Sequence, residues 1–259
     1  MSTQLMFYET AVPLSAGRHG RCSVETDRGY GFARGVNSVP LTAVEFPLAA
    51  AEYPIVFART GGQVLPVAVL GARRGENLCV GPDDRWLPRY VPAFVRRYPF
   101  VFAHSDDGKA LTLCLDEAGP GVNFEGRGQG LFGPDGQPAA YVHGVLQFAL
   151  DYRAQWQRTQ AFGRRLHALG LLEPTQVEFE VDGAGPVRLG GFLVIGRERL
   201  KAVARARLEE MLKSDELELA YLHLQSLRHF GTLRERLCGA LGADVASTSR
   251  APAGAPREV

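Results

Sequence analysis

The string Glu52-Tyr53-Pro54-Ile55-Val56-Phe57-Ala58 returns in recognisable form as Arg97-Tyr98-Pro99-Phe100-Val101-Phe102-Ala103. Each copy follows a Val-Pro pair, Val39-Pro40 or Val91-Pro92, and an apolar segment. Proline is tolerated in the first turn of a helix, where its missing N–H costs nothing, so each Val-Pro is expected to open a helix. The residue before a proline is pushed out of the αR region, so each Tyr-Pro is expected to close one. Beyond the first copy, Thr60-Gly61-Gly62 leads into the apolar run 64–70; beyond the second, Ser105-Asp106-Asp107-Gly108 leads into 110–115. Apolar runs rich in β-branched and aromatic residues, joined across Gly or Asp-Gly, mark a β-hairpin. Two helix–hairpin units sharing one antiparallel sheet are therefore expected.

Downstream, residues 122–138 hold Gly126, Gly128, Gly130, Gly133 and Gly136 with the turn Pro134-Asp135-Gly136, and read as a long surface loop. After Pro138, apolar residues recur at near-helical spacing: Val142, Val145, Leu146, Ala149, Tyr152, Trp156, Phe162, Leu166 and Leu169, with Thr159 on the same stripe. Gly170 follows as a C′ residue and Pro174 lies beyond, so the spacing predicts a long amphipathic helix. Its outer face carries Arg153, Arg158, Arg164 and Arg165, read as solvated. Val177, Phe179 and Val181 alternate with Glu178, Glu180 and Asp182, and across Gly183-Ala184-Gly185 a partner strand over 187–195 completes a third hairpin. One helix is expected to carry Leu200, Val203, Ala204, Leu208, Met211 and Leu212. Ser214 is expected to open another, with the stripe Leu217, Tyr221, Leu224, Leu227, Leu237 and Leu241.

The fold class is thus α+β: an antiparallel sheet built from helix–hairpin units, with a helical C-terminal half packed on it. Residues 1–137 form the half with two units; 138–242 carry the long helix, third hairpin and C-terminal helices in one continuous domain. The aperiodic segment 243–259 is expected to be a disordered tail.

Composition narrows the function. The chain has 259 residues, 46% hydrophobic and 22% charged, as in ordinary folded domains. Its 29 basic and 28 acidic residues leave a net charge of +1, with no global field to gather nucleic acid or anionic lipid. The opening residues show no basic segment followed by an apolar one. The longest apolar stretches, 49–58 and 65–70, are interrupted or stop well short of the ~20 residues of a membrane helix. A soluble, cytoplasmic protein with no membrane span and no nucleic-acid partner is expected. Cys22, Cys79, Cys114 and Cys238 lie far apart without a C-x-x-C pair, which suits reduced, buried thiols.

Chemistry-bearing patterns are few. His104-Ser105-Asp106 has the H-x-D spacing of non-haem iron sites, which need a distal histidine such as His143, His167, His223 or His229. Yet Asp106-Asp107-Gly108 also suits a hairpin turn. No nucleophile elbow, H-E-x-x-H or Walker loop is spelled. Gly126-Arg127-Gly128-Gln129-Gly130 lacks the strand and helix that a phosphate cradle requires. Trp86, Arg89, Tyr90, Arg96, Arg97 and Tyr98 combine Arg forks with rings, which can hold a carboxylate, stack on a planar ligand or form a protein interface. The same residues also suit packing with snorkelled charges. Asn123 and Glu125, beside Phe124 on the glycine-rich loop, complete the binding candidates. No cofactor is expected.

The strings Asn37-Ser38-Val39-Pro40-Leu41, Glu45-Phe46, Glu52-Tyr53-Pro54-Ile55-Val56-Phe57, Arg96-Arg97-Tyr98-Pro99-Phe100 and Asn123-Phe124-Glu125-Gly126 resemble the bacterial SapC family. So do Leu131-Phe132, Leu171-Leu172-Glu173-Pro174 and the terminal helix over 220–236; the likeness spans roughly residues 5–238. The resemblance implies a protein linked by name to bacterial surface layers. It also implies neighbouring genes for outer-membrane uptake receptors, flavin-dependent halogenases and cupin-like oxygenases, hence a role in handling or modifying a peptide or a nutrient-derived molecule. It carries no established catalytic residues. A peptide permease sharing the family's name is excluded by the missing apolar spans. Two functions are expected in turn. The first is an accessory or adaptor protein that binds a partner protein or peptide, such as a neighbouring-gene product, through the 86–98 region and the glycine-rich loop. The alternative is an enzyme modifying a small molecule or peptide, metal-dependent through His104 and Asp106.

Overall fold

A computed structural model describes residues 6–104, 111–181 and 185–248. The N-terminal part runs β1 (Ala11–Pro13), α1 (Ala16–His19), β2 (Ser23–Val24) and β3 (Ser38–Pro40), then α2 (Phe46–Ala49) and the hairpin β4 (Ile55–Thr60)–β5 (Gln63–Val69). The second unit repeats that order: α3 (Ala93–Arg96), then β6 (Phe100–His104)–β7 (Leu111–Asp116). Both Tyr-Pro junctions therefore turn a short helix into a strand; the Tyr98–Pro99 bond is cis, whereas Tyr53–Pro54 is not.

The helix starts differ from the expected ones. Pro92 caps α3, but Val39-Pro40 lies in β3, an edge strand where the missing N–H faces no ladder partner. The proline that opens α2 is Pro47, six residues before Tyr53 as Pro92 is six before Tyr98. A 3₁₀ turn, Ala43–Glu45, precedes α2 and is closed by a capping box between Thr42 and Glu45.

The chain continues through β8 (Val122–Asn123) and β9 (Gln129–Gly130), α4 (Ala140–Ala168), the third hairpin β10 (Leu172–Val181)–β11 (Gly185–Ile195), and α5 (Arg197–Lys201), α6 (Arg205–Lys213), α7 (Glu216–Ser226) and α8 (Phe230–Thr248). The glycine-rich loop is thus tied down by β8 and β9, which flank β2 in a small sheet. The single helix expected around Leu200–Leu212 is two, and Ser214 ends α6 while Asp215, at φ +61°, caps α7. The last helix runs to Thr248; residues 249–259 lie outside the described ones.

The first two hairpins do not share a sheet. The five-stranded sheet has the order β10-β11-β4-β5-β3, whereas β6 and β7 join β1 in a separate three-stranded sheet. The third hairpin, not the second, takes the free edge of β4, and it does so through a narrow seam in which Leu193 pairs with Phe57. Side chains of α7 complete that seam: the Ile55 N–H donates to Ser226 Oγ at 3.0 Å and the Ile195 N–H to His223 Nε2 at 3.0 Å.

One face of the large sheet, with Ile55, Phe57 and Ile195, packs on Phe46, Phe162, Leu166 and Leu219. Its other face, with Val56, Phe179 and Val194, packs on Leu233 and Leu237 of α8. Helix α4, 29 residues and about 43 Å long at 1.5 Å per residue, spans both halves. Its Val142 sits with Phe100 and Leu115 of the β1-β7-β6 sheet, its Phe162 with the large one. Cys22, Cys79 and Cys114 are buried as expected, but Cys238 is exposed on α8. Tyr221, expected in a packing stripe, is also exposed. Among the described residues no helix is long and apolar enough to cross a membrane.

Candidate functional site

Residues 24–32 and 85–99 face each other across an open cleft of about 520 Å³, closed at one end by Pro120, Gly121 and Tyr141. Its first wall is shaped by Arg28-Gly29-Tyr30-Gly31-Phe32. Gly29 has φ +73°, and a Cβ on Gly29 or Gly31 would lie within 2.8 Å of Asp84 side-chain atoms, so only glycine lets this segment cross the opposite loop. The Tyr30 N–H donates to the Asp84 carbonyl at 2.7 Å, and Arg34 holds the Asp84 carboxylate at 2.7 Å. Asn77 strengthens the same junction by donating to the Ala33 carbonyl at 2.9 Å and accepting from the Cys79 N–H.

Tyr30, which caps a 3₁₀ turn over Gly31–Ala33, and Phe32 within that turn both line the cleft. Tyr30 meets Trp86 edge-on at 5.5 Å and Phe32 at 6.2 Å, while Phe32 stacks on Tyr98 at 4.1 Å. Trp86, Tyr30, Phe32 and Tyr98 form a continuous aromatic floor, extended by Val91, Val95 and Pro99. The rings are held from behind. Trp86 Nε1 donates to the Tyr53 hydroxyl at 2.7 Å, and that hydroxyl donates to the Tyr90 carbonyl. Burial, and behind it the Asp116 carboxylate, raise the Tyr98 phenol pKa above its ordinary value.

Beneath this wall lies Glu45, 3% exposed. Its carboxylate accepts from Thr42 N–H (2.7 Å), Thr42 Oγ1 (2.8 Å), Tyr90 Oη (2.8 Å) and Ala93 N–H (2.7 Å), joining the start of the first unit to the start of α3. A buried carboxylate is tolerable only when so saturated. Burial, then the Glu45 charge, raise the pKa of Tyr90.

Arginines occupy the rim. Arg85, Arg89 and Arg96 line the second wall and are exposed. The Arg96 Nε donates to the Val91 carbonyl at 3.0 Å, with its guanidinium over the Tyr90 and Phe148 rings. Arg89 is anchored by its backbone N–H, which donates to Glu52 at 2.6 Å, leaving its side chain to the cleft. On the first wall Glu25 is clamped by Arg28 and Arg127, each at 2.6 Å, and their hydrogen bonds pull its carboxyl down to about 2.

Of the residues singled out from sequence, Trp86, Arg89, Arg96 and Tyr98 come together in the cleft. Arg97, Asn123 and Glu125 do not line it. Arg97 turns inward, its guanidinium 4.0 Å from the Phe94 ring centre and also over Tyr8 and Tyr152. Asn123 is a loop organiser: its amide donates to Gly121 and Arg127 carbonyls and accepts from the Glu125 and Arg127 N–H groups. Glu125 pairs with Arg127 on the surface at 3.2 Å. His104 ends β6 and Asp106 lies outside the described residues; among those described, no group of three His, Cys, Asp or Glu side chains could hold a metal. Residues that sequence reasoning missed are Tyr30, Phe32, Arg28, Arg85 and Tyr141 in the cleft and Glu45 behind it. The Gly-Tyr-Gly-Phe alternation and the Thr42-x-x-Glu45 spacing were the available signals.

The cleft is lined by the rings of Tyr30, Phe32, Trp86 and Tyr98 beside the charged groups of Glu25, Asp27, Arg85, Arg89 and Arg96, an arrangement that can stack on a ligand and pair with its charges. Comparison with known proteins finds one family model, SapC, matching residues 14–233. No curated protein and no solved structure matches the chain.

Proposed function

Because the chain belongs to the SapC family, whose name and gene neighbourhoods suggest surface-layer or nutrient-uptake systems, we propose that it acts there as a cytoplasmic accessory or adaptor protein that binds a partner protein or peptide. The observation that carries this reading is the aromatic floor of the cleft, where Trp86, Tyr30, Phe32 and Tyr98 meet in sequence. Ringed, partly open clefts of this size suit a side chain inserted from a partner, since aromatic and Arg residues concentrate binding energy at interfaces. In this reading the floor supplies stacking area, and the loops that shape it are held in place by hydrogen bonds to Asp84, Asn77 and Glu45.

The test is selection of a displayed random-peptide library on the full chain, followed by affinity measurement of the enriched peptides. Replacing Tyr30 by Ala should weaken them at least about tenfold, while Arg188→Ala, on the far hairpin, should leave affinity unchanged. Enrichment no better than on bare support, or affinity indifferent to Tyr30→Ala in a variant whose circular dichroism and melting are native-like, defeats the proposal.

A further inference from the structure

The walls of the cleft differ in charge. Arg85, Arg89 and Arg96 all stand on the wall formed by residues 85–99. The opposite lip carries Glu25 and Asp27, and Glu25 is already occupied by Arg28 and Arg127. Among the described residues no carboxylate lies within ion-pair distance of the Arg89 or Arg96 guanidinium, the Glu52 carboxylate being held by the Arg89 backbone N–H, and the guanidinium of Arg85 has only Asp83, at 3.9 Å and itself exposed. Guanidinium groups beside rings recognise a carboxylate as a planar fork while the adjoining floor takes an apolar or aromatic group.

Resting on the reading of the cleft as a partner site, we infer that its ligand is an acidic peptide segment in which an aromatic residue is flanked by carboxylate side chains. The aromatic residue enters over Tyr30 and Phe32; a neighbouring carboxylate pairs with Arg89 and Arg96. A polyphosphate chain fits this arrangement less well, because Arg28 and Arg127 on the other lip are already engaged by Glu25, so successive phosphates threading the cleft would meet Asp27 there without a free cation among the described residues. A peptide sets its ring on the floor and needs only one of the flanking carboxylates against the arginine wall, in either chain direction.

The experiment uses the full chain and three dye-labelled, end-capped peptides, Gly-Glu-Phe-Glu-Gly, Gly-Gln-Phe-Gln-Gly and Gly-Lys-Phe-Lys-Gly, in fluorescence anisotropy, with oligothymidylate as competitor. The glutamate peptide should bind at least about tenfold more tightly than the glutamine peptide at low salt, with the gap narrowing as salt rises. Arg89→Gln should remove most of that gap by weakening the glutamate peptide, and it should leave the fold intact because the structural anchor at this position is the backbone N–H. Equal binding of all three peptides leaves the cleft as a partner site and overturns the acidic preference. Tighter binding of the lysine peptide, or stronger binding of oligothymidylate than of the glutamate peptide, also overturns it. Binding of none overturns both readings.

Discussion

Arg96 and Arg97 are neighbours at the end of α3, yet one lines the cleft and the other is stacked inside a cage of Tyr8, Phe94 and Tyr152. The difference follows from helical geometry, in which successive side chains point to different faces. Arg97→Ala should therefore act on the fold, lowering unfolding free energy by about 2 kcal/mol through lost ring contacts and packing. Arg96→Ala, which removes one hydrogen bond and two ring contacts of an exposed guanidinium, should cost less, about 1 kcal/mol, when both are measured by urea unfolding. Glu45 is a second residue whose role is internal. Glu45→Ala leaves donors of Thr42, Tyr90 and Ala93 without an acceptor and should cost about 3 kcal/mol or more; a loss below about 1 kcal/mol would show that water replaces the carboxylate.

Among elements, α4 shows how one missing side chain positions a helix. A Cβ at Gly163 would lie 2.0 Å from the Val64 carbonyl oxygen, so α4 reaches β5 only because that position is glycine. Gly163→Ala should destabilise by about 3 kcal/mol, the upper end for overpacking. Gly144, on the same helix, where an added Cβ would meet no atom of another segment within 4 Å among the described residues, should do the opposite: Gly144→Ala gains about 0.5–1 kcal/mol from helix propensity. Thermal melts of the two variants check both signs. The length and stripe of α4 were legible from apolar spacing, and so were the hairpins, because turn chemistry and periodicity act within a few residues. The break between α5 and α6 and the strand character of Val39-Pro40 were not: an edge strand accepts proline as readily as a helix start does.

For the whole molecule, the seam between the third hairpin and the rest depends on α7. His223 is buried, and burial lowers its pKa from 6.5 to about 4. Between those values the unfolded chain holds a proton that the native state lacks, so stability rises with pH across this window and falls as pH drops below 6.5. The slope from this group approaches about 1.4 kcal/mol per pH unit in mid-window. Urea unfolding at pH 7, 6 and 5 should show the decline, and His223→Gln should flatten it; an unchanged slope in the variant would place the dependence elsewhere.

By itself the sequence determined the α+β class, the repeated helix-to-strand junctions, the long amphipathic helix and the clustering of arginine with rings between Trp86 and Tyr98, because each is set by neighbours along the chain. Only the tertiary structure decided which hairpin joins which sheet, that Arg97 and Asn123 serve the fold rather than line the cleft, and that Tyr30 and Phe32 supply half its aromatic floor. Those outcomes depend on contacts between distant segments, such as Gly29 and Gly31 crossing Asp84, where close approach and hydrogen-bond satisfaction, not local propensity, select the arrangement.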